Sequence, residues 1–318
     1  QEEEEEKKNQ GGRMQGGVGA PSPTALAFVP GSGHRIIARI VADVRGAAVG
    51  MRRRLCAQLQ QEALTLPQCL TIVGTLRRLA AAGTGSEVGR GAIMILNDGR
   101  KLGFGSPHVI PKVAICDPEL TFSMPKMLTA GTGMDAFAHC FETFCGSAIN
   151  PPADAIATDG LGRAIRFIEQ AVANGSDPEA RWQMMMASME GAMAFQKGLG
   201  AVHGMSHPLG SIQDPILHHG TLNAVCLPAV IRYNADAVGD KYEWVKQIWG
   251  LPANADLAEE VAALNARLGL PANLREMGLD EAMIEPLIPH AVADHTTATN
   301  PKPLTAEDYR GLFLETLG

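Results

Sequence analysis

Gly133-Met134-Asp135-Ala136-Phe137-Ala138-His139-Cys140 sets a carboxylate and an imidazole four residues apart inside an apolar, alanine-rich run. On an α-helix, residues i and i+4 stand one above the other on a single face, so the pair can aim two donor groups at one spot. Val202-His203-Gly204-Met205-Ser206-His207-Pro208 repeats the spacing with two imidazoles, and His218-His219-Gly220 brings His219 twelve residues after His207. The spacing nominates Asp135, His139, His203, His207 and His219. One carboxylate oxygen and three imidazole nitrogens make a sensible shell for a divalent first-row metal, either zinc or ferrous iron. Of the remaining histidines, His34, His108, His218, His290 and His295, most read as ordinary surface or loop residues.

These residues lie on one side of a change in composition. After Met124-Pro125-Lys126 the chain becomes rich in Ala, Met, Leu and Glu, with helical periodicity and almost no β-branched runs. The spacing predicts helices over Pro125–Gly131, Met134–Cys145, Pro152–Asn174, Pro178–Lys197, Gly204–Gly210, Gly220–Asn234 and Leu257–Leu268, the last capped by Asp256. Thr305-Ala306-Glu307-Asp308 has the form of a capping box opening a final helix, Tyr309–Leu317. Upstream the pattern is mixed α/β. Ala25-Leu26-Ala27-Phe28-Val29, Cys69-Leu70-Thr71-Ile72-Val73, Ala92-Ile93-Met94-Ile95-Leu96 and Lys112-Val113-Ala114-Ile115-Cys116 read as strands, and residues 35–44 have helical spacing. Asp98-Gly99 is a hairpin signal. The expected organisation is a disordered tail over residues 1–24, a partial α/β domain over 25–123 and an all-helical domain over 124–318.

Bulk properties narrow the function. The 318 residues carry a net charge of −7 and no basic stripe, so nucleic acid is not an expected partner. No stretch has the roughly 18 uninterrupted apolar residues of a membrane span, and the Glu-rich start is neither a signal nor a transit peptide. Six cysteines without a C-x-x-C pair suit free thiols in a reducing compartment, and the expected location is cytoplasmic.

A set of ordered elements then carries a resemblance. Gly83-Thr84-Gly85-Ser86-Glu87-Val88 is followed by Lys101-Leu102-Gly103, Ala114-Ile115-Cys116-Asp117-Pro118-Glu119-Leu120-Thr121 and Thr129-Ala130-Gly131-Thr132-Gly133-Met134-Asp135. Gly200-Ala201-Val202-His203, His219-Gly220-Thr221-Leu222-Asn223 and Asn300-Pro301-Lys302-Pro303 come after. In this order they are similar to the iron-containing (group III) alcohol dehydrogenases, over about three quarters of the chain. The resemblance implies a dehydroquinate synthase-like fold, an α/β nucleotide-binding domain followed by an all-α metal-binding domain, with the active site in the cleft between them. It implies Asp135, His139, His203 and His219 as ligands of Fe2+ or Zn2+, with His218 the weaker candidate because the family's ligand directly precedes the glycine. It places His207 beside the nicotinamide as a proton-relay residue, and Gly83, Thr84, Gly85, Ser86 and Lys101 along NAD or NADP. The activity implied is hydride transfer between a small alcohol and its aldehyde or ketone, with a homodimer as the assembly the resemblance allows.

The resemblance departs at the N-terminal side. The family's Gly-Gly-Gly-Ser-x-x-Asp element, whose amides cradle the dinucleotide pyrophosphate, has no intact copy. Phe28-Val29-Pro30-Gly31-Ser32-Gly33-His34 is the candidate for an altered cradle, with Pro30 removing one amide donor. The nucleotide-binding domain is therefore expected to be incomplete. The alternative to a working dehydrogenase is a truncated, catalytically impaired relative that keeps metal binding alone.

Overall fold

The computed structural model describes residues 25–26, 85, 88–89, 91–95, 101–105, 113–114 and 116–318. Its upstream strands are short. β1 (Ala25–Leu26) pairs in parallel with β4 (Val113–Ala114). β2 (Gly91–Ile95) runs antiparallel to β3 (Lys101–Gly105), with Ile95 opposite Lys101, an antiparallel pair of strands on either side of the Asp98-Gly99 signal. The expected tail over 1–24, the strand over 69–73, the helix over 35–44 and the altered cradle at Gly31-Ser32-Gly33 lie outside the described residues.

From Lys126 onward the chain is helical. The ordered helices are α1 (Lys126–Cys145), α2 (Pro151–Ala173), α3 (Pro178–Ala194), α4 (Ala201–Leu209) and α5 (His219–Asn234). They continue with α6 (Lys241–Trp249), α7 (Leu257–Arg267), the short α8 (Glu281–Ile284) and α9 (Ile288–Val292), and α10 (Ala306–Leu317). α1 is the hub, packing on α2, α3 and α5, and it is buried on every side from Thr129 to Cys145. A helix apolar all round belongs in the middle of a core, and here it carries Asp135, His139 and Glu142 into that core.

Local chemistry sets most of the ends. Asn150 and Asp177 cap α2 and α3 by accepting the Ala153 and Ala180 amides, and Asp256 caps α7 through the Ala258 and Glu259 amides. The Thr305–Asp308 box opens α10, three residues earlier than its apolar spacing suggests. α6 was not foreseen: of its nine residues only Val245 is fully buried, so it has little apolar stripe to read.

The largest correction is in α1. The sequence predicts two helices broken near Thr132-Gly133, whereas the chain runs as one helix through that point. Its glycines are not breaks. A Cβ on Gly133 would lie 2.8 Å from Ile168 Cδ1, and one on Gly131 would lie 2.6 Å from His218 Nδ1. Both glycines let neighbouring helices come close. α4 likewise begins at Ala201 rather than Gly204, which places His203 and His207 on one helix. No helix among the described residues is long and apolar enough to cross a membrane.

Candidate metal and proton-transfer site

Asp135 Oδ1 is the focus of the site. The Nε2 atoms of His219, His203 and His139 stand 3.6, 3.8 and 3.9 Å from it. α1 supplies Asp135 and His139 one turn apart, α4 supplies His203, and the first residue of α5 is His219. Asp135, His139 and His203 are buried and offer ligand atoms within 4.8 Å of one another. His219 is more open, with its side chain 31% exposed.

Each ring is held. His203 Nδ1 lies 2.5 Å from Glu142 Oε2, and the other oxygen of that carboxylate accepts the Val202 amide at 2.7 Å. The Ala201 amide is taken by Asn300 Oδ1 at 3.1 Å. Two distant side chains thus cap α4, whose own N-cap, Gly200, has none to offer. A Cβ at Gly200 would lie 2.7 Å from Asn300 Oδ1 and 2.9 Å from Glu142 Oε1, so glycine is what admits both caps. His139 stacks on His203 with ring centroids 4.7 Å apart. His218 is spent elsewhere: it is the N-cap of α5, and its Nδ1 accepts the Thr221 amide. Geometry therefore separates the two adjacent histidines.

Electrostatics agree with a cation-seeking site. Burial, and then the neighbouring histidines His139, His219 and His207, hold His203 well below the usual imidazole range, so its ring is neutral. With Nδ1 turned to Glu142, the lone pair of Nε2 faces the cluster. Burial raises the Glu142 carboxyl, while hydrogen bonds from the amides of Val202, His203 and Gly200 favour its ionised form, the form that accepts the Nδ1–H of His203.

Asn223 fills the middle of this array. Its Nδ2 donates to Asp135 Oδ1 at 2.7 Å and lies 3.2 and 3.3 Å from the Nε2 atoms of His203 and His219, while its Oδ1 is buried without a hydrogen-bond partner. A single donor surrounded by acceptors is the arrangement a cation would also satisfy. Ligand atoms at 2.0–2.2 Å from a tetrahedral ion sit roughly 3.3–3.6 Å apart; the imidazole-to-carboxylate separations of 3.6–3.9 Å are slightly wider. The residues present fit a divalent cation, and small side-chain movements would close the shell.

His207 stands beside the cluster. Its ring stacks between those of His219 and His295, at centroid distances of 5.5 and 5.8 Å, and its Nδ1 is 2.9 Å from Asp294 Oδ2. Sequence reasoning missed Glu142, Asn223 and Asp294. The first two were within reach, since Glu142 follows His139 by three residues and Asn223 follows His219 by four, each on the same helix face as its histidine. Asp294 reaches His207 across 87 residues of sequence, and no local spacing signals it.

Of the residues expected along a dinucleotide, Gly83, Thr84 and Ser86 lie outside the described residues, and Lys101 is described only as the first residue of β3. Gly85 has a requirement of its own. Its φ is +72°, and a Cβ there would collide with the Ser188 carbonyl oxygen and the Ala192 methyl of α3. The thiols of Cys140 and Cys226 are buried, free and pushed up by desolvation, which makes them packing groups rather than nucleophiles.

Residues 129–317 match the model of the C-terminal part of the Fe-containing alcohol dehydrogenase family. The 4-hydroxybutyrate dehydrogenase of Cupriavidus necator is 55% identical over 243 residues, covering 74% of this chain and 64% of the relative. The 1,3-propanediol dehydrogenase of Klebsiella pneumoniae is 36% identical, covering 73% of this chain and 62% of the relative. Among solved structures, a 1,3-propanediol oxidoreductase superposes with a TM-score of 0.70 at 34% identity, covering 74% of this chain and 64% of that one. The iron-containing alcohol dehydrogenase of Thermococcus thioreducens gives 0.68 at 31% identity, covering 74% and 62%. The chain thus spans a little under two thirds of the length of these relatives.

Proposed function

The chain belongs to the Fe-containing alcohol dehydrogenase family, and from that premise we propose that it is a metal-dependent, NAD(P)-linked alcohol dehydrogenase acting between a small alcohol and its aldehyde or ketone. The observation that carries the proposal is the convergence of three imidazole Nε2 atoms on Asp135 Oδ1. Asp135, His139, His203 and His219 hold Fe2+ or Zn2+ in this reading. Residues 25–123 are read as a partial nucleotide-binding domain and 124–318 as the metal-binding domain, with Gly83, Thr84, Gly85, Ser86 and Lys101 along the dinucleotide. A divalent cation held by these four residues would supply Lewis-acid stabilisation of negative charge on the alcohol oxygen, and a nicotinamide would supply the hydride acceptor.

The protein's own residues do the rest. Glu142 fixes His203 so that Nε2 faces the site, and the Asn223 amide holds the Asp135 oxygen in the place that a bound cation would take over. His207, 13% exposed at the side chain, stands between the buried cluster and the surface. Its imidazole takes the alcohol proton and returns it to water. A relative 55% identical bears the name 4-hydroxybutyrate dehydrogenase, which makes short ω-hydroxy carboxylates the first substrates to try. The same reading makes the protein a cytoplasmic homodimer with neither nucleic acid nor membrane as partner.

The test is NAD(H) binding and steady-state turnover of the iron- or zinc-loaded chain with short alcohols and 4-hydroxybutyrate. Saturable binding with turnover that is lost in His203→Ala supports the reading. Metal bound at one equivalent with neither cofactor binding nor turnover overturns it, in favour of a relative that retains metal alone.

A further inference from the structure

Asp294 lies in the turn after α9, far in sequence from the residues so far given a role, yet it is fully engaged. Its Oδ2 is 2.9 Å from His207 Nδ1. Its Oδ1 accepts both the amide of Thr296 at 2.9 Å and the Thr296 hydroxyl at 2.7 Å. Burial alone would raise this carboxyl, but the hydrogen bond from His207 and the two Thr296 donors hold it below the usual carboxylate range. A carboxylate that stays ionised accepts hydrogen bonds only. It therefore requires the proton of a neutral His207 to sit on Nδ1, and leaves Nε2 as the nitrogen with a free lone pair.

We propose that Asp294 is a positioning residue that locks His207 in its Nδ1–H tautomer, held in place by Thr296, so that Nε2 is the atom that receives the substrate proton. This rests on the proton-transfer role given to His207 above. As the carbonyl forms, the hydride from the carbinol carbon passing to an oxidised nicotinamide, the proton released from the alcohol oxygen binds Nε2. The resulting imidazolium keeps its Nδ1–H bond to Asp294, whose negative charge balances it, and the Nε2 proton is then passed to water. Asp294 is not itself protonated in this cycle. The stacked rings of His219 and His295, inclined to His207 by 10° and 15°, confine the imidazole to one plane, while Asp294 fixes its rotation within that plane.

His207, Asp294 and His295 also offer ligand atoms within 4.8 Å of one another, close enough to hold a second cation. Against this, all three donors around Asp294 are at hydrogen-bond distance, and the side chain of His295 is 74% exposed. Asp294 thus acts as a hydrogen-bonded carboxylate and not as a metal ligand.

Asp294→Asn separates a positioning role from a structural one. The two Thr296 donors would hold the amide oxygen, turning the NH2 group toward His207 Nδ1 and forcing the Nε2–H tautomer. Long-range 15N–1H spectra of the zinc-loaded chain should show Nδ1–H at His207 in the parent and Nε2–H in Asp294→Asn, at equal zinc content and Tm. With an alcohol that the parent turns over, kcat should fall by about 10²-fold with KM within about threefold, and adding Asp294→Asn to His207→Ala should cost nothing more. An Nε2–H tautomer in the parent overturns the proposal, as does a zinc equivalent lost in His295→Ala. So does a tautomer switch without a fall in kcat, provided His207→Ala is itself impaired. If His207→Ala turns over normally, it is the role of His207 that has failed, while the spectra still decide whether Asp294 sets its tautomer.

Discussion

Glu142 Oε2 lies 2.5 Å from His203 Nδ1, and the other oxygen of the same carboxylate holds the Val202 amide at 2.7 Å. One side chain of α1 therefore both starts α4 and sets the tautomer of the histidine that α4 contributes. Two donors converge on it, and only a carboxylate offers an acceptor to each.

Glu142→Gln tests this directly. The amide oxygen can serve Val202 or His203 but not both, and the NH2 group then faces a donor. The expected result is zinc affinity lower by about 10–100-fold, read by competition with a chromophoric chelator. The helix should also be less stable by about 1–3 kcal/mol in urea, from the unsatisfied buried donor. Unchanged affinity would mean that His203 is oriented by its ring contacts alone.

Two glycine substitutions should rank in a fixed order, against helix propensity. Alanine is favoured over glycine in a helix interior by about 1 kcal/mol, yet both positions need the missing side chain. A Cβ at Gly133 meets the flexible end of Ile168, so Gly133→Ala should cost about 1 kcal/mol net of that gain. A Cβ at Gly220 would collide with the backbone carbonyl of Gly131, which cannot step aside, and would come within 3.1 Å of Asp135 Cβ. Gly220→Ala should cost more than Gly133→Ala in urea unfolding, and it alone should weaken zinc binding, because it pushes His219 away from Asp135.

These positions also show where the sequence could and could not be read. The i,i+4 pair Asp135–His139 was legible because both the spacing and the contact belong to a single helix. The capping box at Thr305 and the Asp256 cap were legible for the same reason. Thr132-Gly133 was misread as a break, since the side chain that comes close to Gly133, Ile168 of α2, lies much further along the chain. The Asn300 contact to α4 spans 99 residues and Asp294 to His207 spans 87. A motif can mark such residues as present, but only the fold says what they touch.

A pH effect on stability should come from Glu190, which is not one of the converging groups. Burial pushes its carboxyl up to about 7, partly opposed by Arg163, whose Nε is 3.3 Å away. The folded chain therefore holds this proton more tightly than the unfolded chain does. The associated stability is fully present below the ordinary carboxylate value and is lost as pH rises through about 7. Urea titrations at pH 5 and pH 8 should show Glu190→Gln losing less stability over this interval than the parent, by about 1–2 kcal/mol. A parallel decline in both proteins would place the titrating group elsewhere.

Removing the converging groups singly should expose an order among them. Asp135 carries the oxygen that all three imidazoles face, and His203 is buried and anchored by Glu142. His219 stands at the more open side of the cluster, and its Nδ1 lies 3.4 Å from the Ser206 hydroxyl. Asp135→Ala and His203→Ala should therefore lose zinc, whereas His219→Ala should still bind one equivalent at higher free zinc. Thermal unfolding across a zinc series reads this without a substrate. A chain at a hundredfold excess of free metal over its Kd gains about 2.7 kcal/mol, a gain absent from the first two variants and shifted to higher concentration in the third. If His219→Ala failed as completely as Asp135→Ala, the site would need all four groups equally, and the tighter grouping of Asp135, His139 and His203 would carry no energetic meaning.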